Sequence, residues 1–95
     1  MPKVAAFEIN GLELRFYSFD HNPPHFHVIK PGDWEIVVNI LSTTEDTLDG
    51  RVRWSKRSGQ PSAAVQRQIA QRVAGSRQQL LEEWESKVQV SEGGR

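Results

Sequence analysis

The chain has 95 residues, enough for one small domain, and its twelve basic and twelve acidic side chains cancel. The balance excludes a dominant electrostatic attraction of the whole chain to nucleic acid or to an anionic membrane. The absence of cysteine excludes disulfides, thiolate metal sites and cysteine nucleophiles. No stretch approaches the ~20 apolar residues of a membrane span, and the N-terminus has no secretory signal, so we expect a cytoplasmic protein.

The first predicted element is a β-hairpin that turns at Asn10-Gly11. This pair is preferred in two-residue type I′ turns, which need positive φ at both positions. A two-residue loop fixes the register, with Ala5 opposite Phe16. One face of the hairpin is then apolar and is predicted to be buried: Ala5, Phe7, Ile9, Leu12, Leu14 and Phe16.

A proline-rich loop (residues 20–24, DHNPP) and a second hairpin follow. The two prolines exclude regular strand pairing in the loop. Residues 25–30 and 34–41 have strand composition, and Pro31-Gly32 between them suits a type II turn. This turn predicts one shared face: His25, His27 and Ile29 with Trp34, Ile36 and Val38. The opposite face carries Phe26, Val28 and Val37, and the pattern leaves open which face meets the core.

The remainder of the chain predicts a short strand and a long helix. Residues 42–50 are a polar, acidic connection, and 51–54 alternate as in a fifth strand. Pro61 suits the first position of a helix over about 61–88, in which Gly75-Ser76 marks a kink or a close contact. Its apolar residues recur at helical spacing: Val65, Ile69, Val73, Leu80 and Trp84.

These elements predict an α+β fold. The sheet has four or five antiparallel strands, mostly in a meander, and one long C-terminal helix packs on one face. We expect residues 1–90 to form a single domain and residues 91–95 to be a frayed polar tail.

The sequence HNPPHFHV (residues 21–28) resembles the signature of a small bacterial family catalogued as domain of unknown function 4160. The helix ending LLEEW (residues 80–84) is also similar to that family. The resemblance implies a short hairpin, the histidine loop, a second hairpin and a C-terminal helix, in a bacterial protein. It implies no activity. Members of the family look like halves of two-gene arrangements similar to toxin–antitoxin pairs, which implies a small protein partner.

All three histidines lie within seven residues. His25 and His27 are two apart on a strand and point the same way, so both can reach one divalent ion such as zinc. Asp20 or His21 can supply a third ligand. The alternative is a neutral histidine pair that hydrogen-bonds to the backbone of a rigid loop, and the sequence favours it, because no fourth ligand is evident.

Seven basic residues and no acidic residue lie between residues 51 and 81. Those on the helix are five apart and cannot share a face. A possible basic patch remains at Arg51, Arg53, Lys56 and Arg57. It points to nucleic acid or an acidic partner, while a solvated surface with ordinary ion pairs is the favoured interpretation.

No motif of a known enzyme class is present, neither a nucleophile elbow nor a phosphate-binding glycine loop. The sequence favours a non-enzymatic binding or regulatory module, one half of a two-protein pair. The alternative is a metal- or histidine-dependent phosphodiesterase or ribonuclease, with His25 and His27 as catalytic candidates.

Overall fold

Four antiparallel strands form the main sheet, and a long helix covers one of its faces. A computed structural model describes residues 1–90. The elements in chain order are β1 Glu13–Arg15, β2 Phe19–Asp20, β3 His25–Lys30, β4 Trp34–Asn39, β5 Gly50–Ser55, α1 Ala63–Lys87 and β6 Gln89–Val90. The order in the main sheet is β1-β3-β4-β5, which confirms the predicted α+β fold with an antiparallel meander. The tail predicted for residues 91–95 lies outside the described residues.

The second hairpin has the predicted turn but a different register. Gly32 takes the positive φ of a type II turn, and the Asp33 N–H donates to the Lys30 carbonyl at 2.9 Å. Lys30 pairs with Trp34, so the loop has three residues. A type II turn does not match the twist of a two-residue hairpin, and one additional residue relieves the mismatch.

This register corrects the predicted faces of the hairpin. Phe26 lies opposite Val38 and Val28 lies opposite Ile36, so these four residues share one face. The histidines lie on the other face. The prediction that Trp34, Ile36 and Val38 share this face with them was wrong. That face contains His25, His27 and Ile29 of β3 with Glu35, Val37 and Asn39 of β4.

The first hairpin also turns where predicted, at Asn10-Gly11, but its arms pair differently. Only Gly11 of this pair has positive φ, so the turn is not type I′. Its arms pair in another register, in which Lys3 lies opposite Arg15 instead of Ala5 opposite Phe16. Four of the six residues predicted to be buried are buried: Phe7, Ile9, Leu14 and Phe16. Leu12 is partly buried, whereas Ala5 is exposed and Val4 is buried in its place.

The helix α1 begins two residues later than predicted. Ser62 is its N-cap, and the Ser62 Oγ accepts a hydrogen bond from the Val65 N–H at 3.2 Å. Pro61 therefore precedes the cap. The predicted kink is present, because Ser76 has non-helical angles (φ −126°, ψ 15°).

The core lies between α1 and the Phe26 face of the sheet. The helix contributes the predicted stripe, of which Ile69, Val73 and Leu80 are fully buried. They belong to one apolar cluster with Phe26 and Val28, which settles the face that the helix covers. No helix in the described part of the chain has the length and apolar character needed to cross a bilayer.

A second, two-stranded sheet ties the proline loop to the end of the helix. β2 pairs in parallel with β6, so Asp20 lies opposite Val90. The Gln89 N–H donates to the Ser18 carbonyl at 2.7 Å. This pairing holds Asp20 beside the start of β3.

Candidate metal centre

Asp20, His25 and His27 converge on the sheet face opposite the Phe26 face, and the His25 ring lies 5.3 Å from the Trp84 ring of α1. The proline loop reverses the chain, with a cis bond between Asn22 and Pro23, and brings the end of β2 to the start of β3. Asp20 Oδ2 lies 2.7 Å from His25 Nε2 and 3.4 Å from His27 Nε2. The three potential ligand atoms lie within 4.8 Å of one another.

His21 does not belong to this group. It is exposed, and its backbone N–H donates to Asp20 Oδ1 at 2.9 Å. Its contribution is to hold the carboxylate so that Oδ2 faces the two imidazoles. Of the four residues considered as ligands from the sequence, the structure brings three together.

The outer ring nitrogens of both histidines are occupied by acceptors. His25 Nδ1 lies 2.8 Å from the Pro23 carbonyl, and His27 Nδ1 lies 3.0 Å from Glu35 Oε2. A carbonyl and an ionised carboxylate only accept hydrogen bonds, so each Nδ1 must carry the hydrogen. Each Nε2 is therefore the nitrogen that faces Asp20 with its lone pair when the ring is neutral.

Glu35 is the buried carboxylate behind the histidines, and it was not predicted from the sequence. Its Oε2 accepts from the Tyr17 hydroxyl at 2.6 Å and from Arg53 at 3.3 Å, in addition to His27. Its Oε1 accepts from the Trp54 indole at 3.1 Å. A detectable signal was present, because Glu35 is the only charged residue among the apolar side chains of β4.

A β-bulge in β5 explains how two consecutive residues reach Glu35. The register shifts between Glu35 and Ile36, so that Trp54 lies opposite Glu35 while Val52 lies opposite Ile36. Arg53 is the additional residue between them. Bulges redirect side chains in this way, and here Arg53 and Trp54 both turn to the same carboxylate.

The ionisation of Asp20 and His27 follows from burial and from their neighbours. Burial opposes the charge of Asp20, but the His21 N–H and the two imidazoles outweigh it, so its pKa lies below the usual value. Burial lowers the pKa of His27 more than Asp20 and Glu35 raise it. An ionised carboxylate therefore faces a neutral His27 at neutral pH.

The ionisation of Glu35 and Tyr17 is coupled through their hydrogen bond. Burial opposes the charge of Glu35, but the hydrogen bonds from Tyr17 and Trp54 and the charge of Arg53 lower its pKa. Burial, and then the Glu35 carboxylate, raise the pKa of Tyr17 to about 12. Tyr17 is thus a phenol at neutral pH, and its ring stacks on His27 with centroids 3.7 Å apart.

The convergent group opens into a small cleft of about 210 Å³. Side chains from four strands and from the connection before β2 line it: Tyr17, Asp20, His25, His27, Val37, Arg51 and Arg53. The side chains of Asp20 and His25 are 15% and 11% exposed, so small solutes can reach them.

The four residues of the predicted basic patch lie in two places. Arg51 and Arg53 line the histidine cleft, and Arg53 also pairs with Glu35. Lys56 and Arg57 lie on a short 3₁₀ turn, where they line a different hollow with Asp33. Sequence proximity did not reveal this division, because it arises from the turn that follows β5.

The arrangement has the donor set of a three-ligand metal site. Ligands about 2.0–2.1 Å from one ion lie roughly 3.0–3.4 Å apart in octahedral or tetrahedral geometry. The two distances from Asp20 Oδ2, 2.7 and 3.4 Å, lie close to this range, and the three atoms all lie within 4.8 Å of one another. Two histidines and one carboxylate leave coordination positions open, as in sites where an ion binds and polarises a further ligand.

Comparison with known proteins identifies a family. The family model described as "Domain of unknown function (DUF4160)" matches residues 11–85. This match includes the proline loop, His25 and His27, and most of α1. No curated protein and no solved structure gives a significant match to the chain.

Proposed function

We propose a function for this chain, which belongs to the family described as a domain of unknown function (DUF4160), from the geometry of its cleft: it is a binding module for a divalent transition-metal ion. The ligands are Asp20 Oδ2, His25 Nε2 and His27 Nε2. The open positions face the cleft and are available to a second ligand.

The observation that carries the proposal is a surplus of acceptor atoms. Both Nδ1 atoms donate outward, so whenever both rings are neutral they present two lone pairs to a carboxylate oxygen at 2.7 and 3.4 Å. Three such atoms repel one another unless a proton or a cation lies among them. A divalent cation satisfies all three at once.

The outer hydrogen bonds support the same conclusion. Metal-binding histidines commonly donate the second ring N–H to a carboxylate or a backbone carbonyl, which fixes the ring orientation. His27 has the carboxylate form of this arrangement, through Glu35, and His25 has the carbonyl form, through Pro23. Glu35 is itself held by Tyr17 and Trp54, so the ligands are preorganised.

The ligand set also defines the chemistry available to the enzymatic alternative. A bound divalent ion would supply a Lewis acid and an acidified water, which is what metal-assisted hydrolysis of a phosphodiester requires. The protein's own contribution would be to orient the ion and to keep its open side towards the cleft. Binding of the ion is the requirement that the binding module shares with the metal-dependent form of the enzyme, and it is therefore tested first.

The test is calorimetric titration of the full chain with Zn²⁺, Ni²⁺ and Mn²⁺ at neutral pH. We expect one ion per chain for at least one metal, with a rise in melting temperature that follows from mass action. Asp20→Asn keeps the shape of the side chain but removes the charge, and His25→Ala and His27→Ala each remove a ligand. Each should weaken binding by at least tenfold.

His21→Ala is the matched control, because it removes a histidine from the same loop but not from the convergent group. It should bind the ion as the wild type does. Absence of stoichiometric binding for all three metals would overturn the proposal. Equal affinity in the wild type, Asp20→Asn and His25→Ala would overturn it as well.

A further inference from the structure

We infer that the cleft binds a phosphate group next to the metal ion, with Arg51 and Arg53 as its cationic ligands. This inference rests on the proposed function, because the phosphate would take an open position of the ion. It names the class of second ligand: a phosphate monoester, a phosphodiester or inorganic phosphate.

The strand register places the arginines across the cleft from the histidines. His27 pairs with Val37, and Val37 pairs with Arg51, so the three residues form one row on the same face of the sheet. Neighbouring strands are about 4.8 Å apart. The short apolar side chain of Val37 thus forms a floor between an imidazole ligand and a guanidinium group, and an anion above it can contact both sides.

The two arginines differ in how they are held. Arg53 donates to Glu35 at 3.3 Å and its guanidinium lies 5.3 Å from the centre of the Tyr17 ring, so its position is fixed. Its side chain is still 50% exposed, which leaves donors free. Arg51 is exposed, and its side chain makes no ion pair or hydrogen bond to any other residue in the described range 1–90. Its planar guanidinium group is therefore available for a bidentate contact to an oxyanion.

The charge of the cleft makes phosphate binding depend on the metal. With both histidines counted as neutral, the formal charges of Arg51 and Arg53 cancel those of Asp20 and Glu35, so the metal-free cleft carries no excess positive charge. A divalent ion adds two positive charges in a site that is partly withdrawn from water. Phosphate, which carries one to two negative charges at neutral pH, is then bound by the ion and by both arginines.

The size of the cleft also favours a small anionic group. Its volume of about 210 Å³ is below the range of about 300–1,000 Å³ that is typical of pockets for larger organic ligands. A phosphate group fits inside, and the rest of an ester would lie outside over the exposed end of Arg51. The site thus contacts the phosphate group and makes few contacts to the rest of the ester.

The experiment has two stages, so that the two proposals fail separately. Zinc is first titrated into the protein in a phosphate-free buffer, which tests the metal site alone. Inorganic phosphate and dimethyl phosphate are then titrated into the metal-free and the zinc-loaded protein, with acetate as a carboxylate control. We expect phosphate to bind the zinc-loaded form at least tenfold more tightly than the metal-free form, and acetate to bind more weakly than phosphate.

Arg51→Gln should weaken phosphate binding to the zinc-loaded protein by about tenfold, because it removes a charge-assisted contact. Zinc affinity should stay the same or rise, since a positive charge near the cation is lost. Lys56→Gln is the matched control, because it removes the same charge from outside the cleft and should not weaken phosphate binding.

Zinc binding without any preference of phosphate for the zinc-loaded form would overturn this inference and leave the metal site standing. An equal loss in Arg51→Gln and Lys56→Gln would also overturn it, in favour of a diffuse basic surface. Absence of zinc binding in the first stage would overturn the proposed function, and this inference with it. Preference for dimethyl phosphate over inorganic phosphate would support the inference and identify diesters as the ligand.

Discussion

The two faces of the β3–β4 hairpin are both buried, but they are buried in different ways. Phe26, Val28 and Val38 are 0% exposed and pack against α1, with no polar group to satisfy. On the other face His27 and Glu35 are 3% and 4% exposed, and each of them is hydrogen-bonded. The first face contributes to stability through its apolar contacts, whereas the second depends on every donor finding its acceptor.

The comparison shows how a protein of this size builds a site. Its few apolar residues are used on one face, and the polar face is covered by flanking side chains of Tyr17, Arg53 and Trp54. Polar groups buried in this way cost free energy unless they are paired. The three predictions below test this difference between the apolar and the polar face.

The largest effect is expected on the apolar face. Phe26→Ala removes a fully buried ring that contacts Phe7 and Phe16, and should lower the free energy of unfolding by about 3–5 kcal/mol. Chemical denaturation measures this loss. Phe26→Leu, which fills most of the space, should cost much less. Equal losses for both variants would show that the packing of this face is not what holds the sheet to α1.

A smaller but substantial effect is expected on the polar face. Glu35→Ala leaves the donors of Tyr17, His27 and Trp54 without their acceptor, and should cost about 3 kcal/mol. Denaturant titration measures the change, with the exposed Glu13→Ala as the matched control. Glu35→Gln keeps one acceptor oxygen, so its loss of stability should lie between those of Glu35→Ala and Glu13→Ala. If Glu35→Ala costs no more than Glu13→Ala, the polar face does not depend on its pairing.

The smallest effect is expected at Tyr17, and it is spectroscopic. Tyr17 is the only tyrosine of the chain, so the absorbance of tyrosinate reports this residue alone. Its pKa is raised to about 12, above an unfolded value of about 10. The folded state therefore binds the proton more tightly, and this contribution to stability is complete below pH ~10 and is lost as the pH rises towards ~12.

The Glu35→Gln variant completes the Tyr17 experiment. Loss of the carboxylate charge should move the titration of the phenol back towards 10, while the ring remains stacked on His27. A wild-type titration near 10 in the folded protein would contradict the buried Tyr17–Glu35 hydrogen bond.

Most of the fold could be predicted from the sequence, because its signals are local. Glycine marks both turns, and the apolar spacing from Val65 to Trp84 identifies the helix. The faces of the second hairpin could not be predicted, because Phe26 and His27 both lie in an apolar stretch and the loop length decides which residues of β4 share a face with each of them. One additional loop residue shifts β4 by one position, so the residues on its two faces exchange places relative to β3.

The site could be predicted only in part, for a similar reason. The spacing of His25 and His27 correctly places two ligands on one face, because residues two apart on a strand point to the same side in any register. Glu35 joins them through the register of the β3–β4 hairpin, and Tyr17 joins them from the connection between β1 and β2 by stacking on His27. The division of the basic residues follows from the turn after β5. The bulge that turns both Arg53 and Trp54 to Glu35 has no local signal in the sequence.

The parallel pairing of β2 with β6 has a consequence for the order of folding. The two histidines lie in a local hairpin, which needs only a short loop to close. Asp20 is held by Gln89–Val90, from the far end of the described chain, and the closure of such a long loop is entropically costly. The imidazoles should therefore reach their places early, and the carboxylate should join them only after α1 has docked. In a refolding experiment, the β3–β4 hairpin would gain hydrogen-exchange protection first, and protection of the Gln89 amide would appear last.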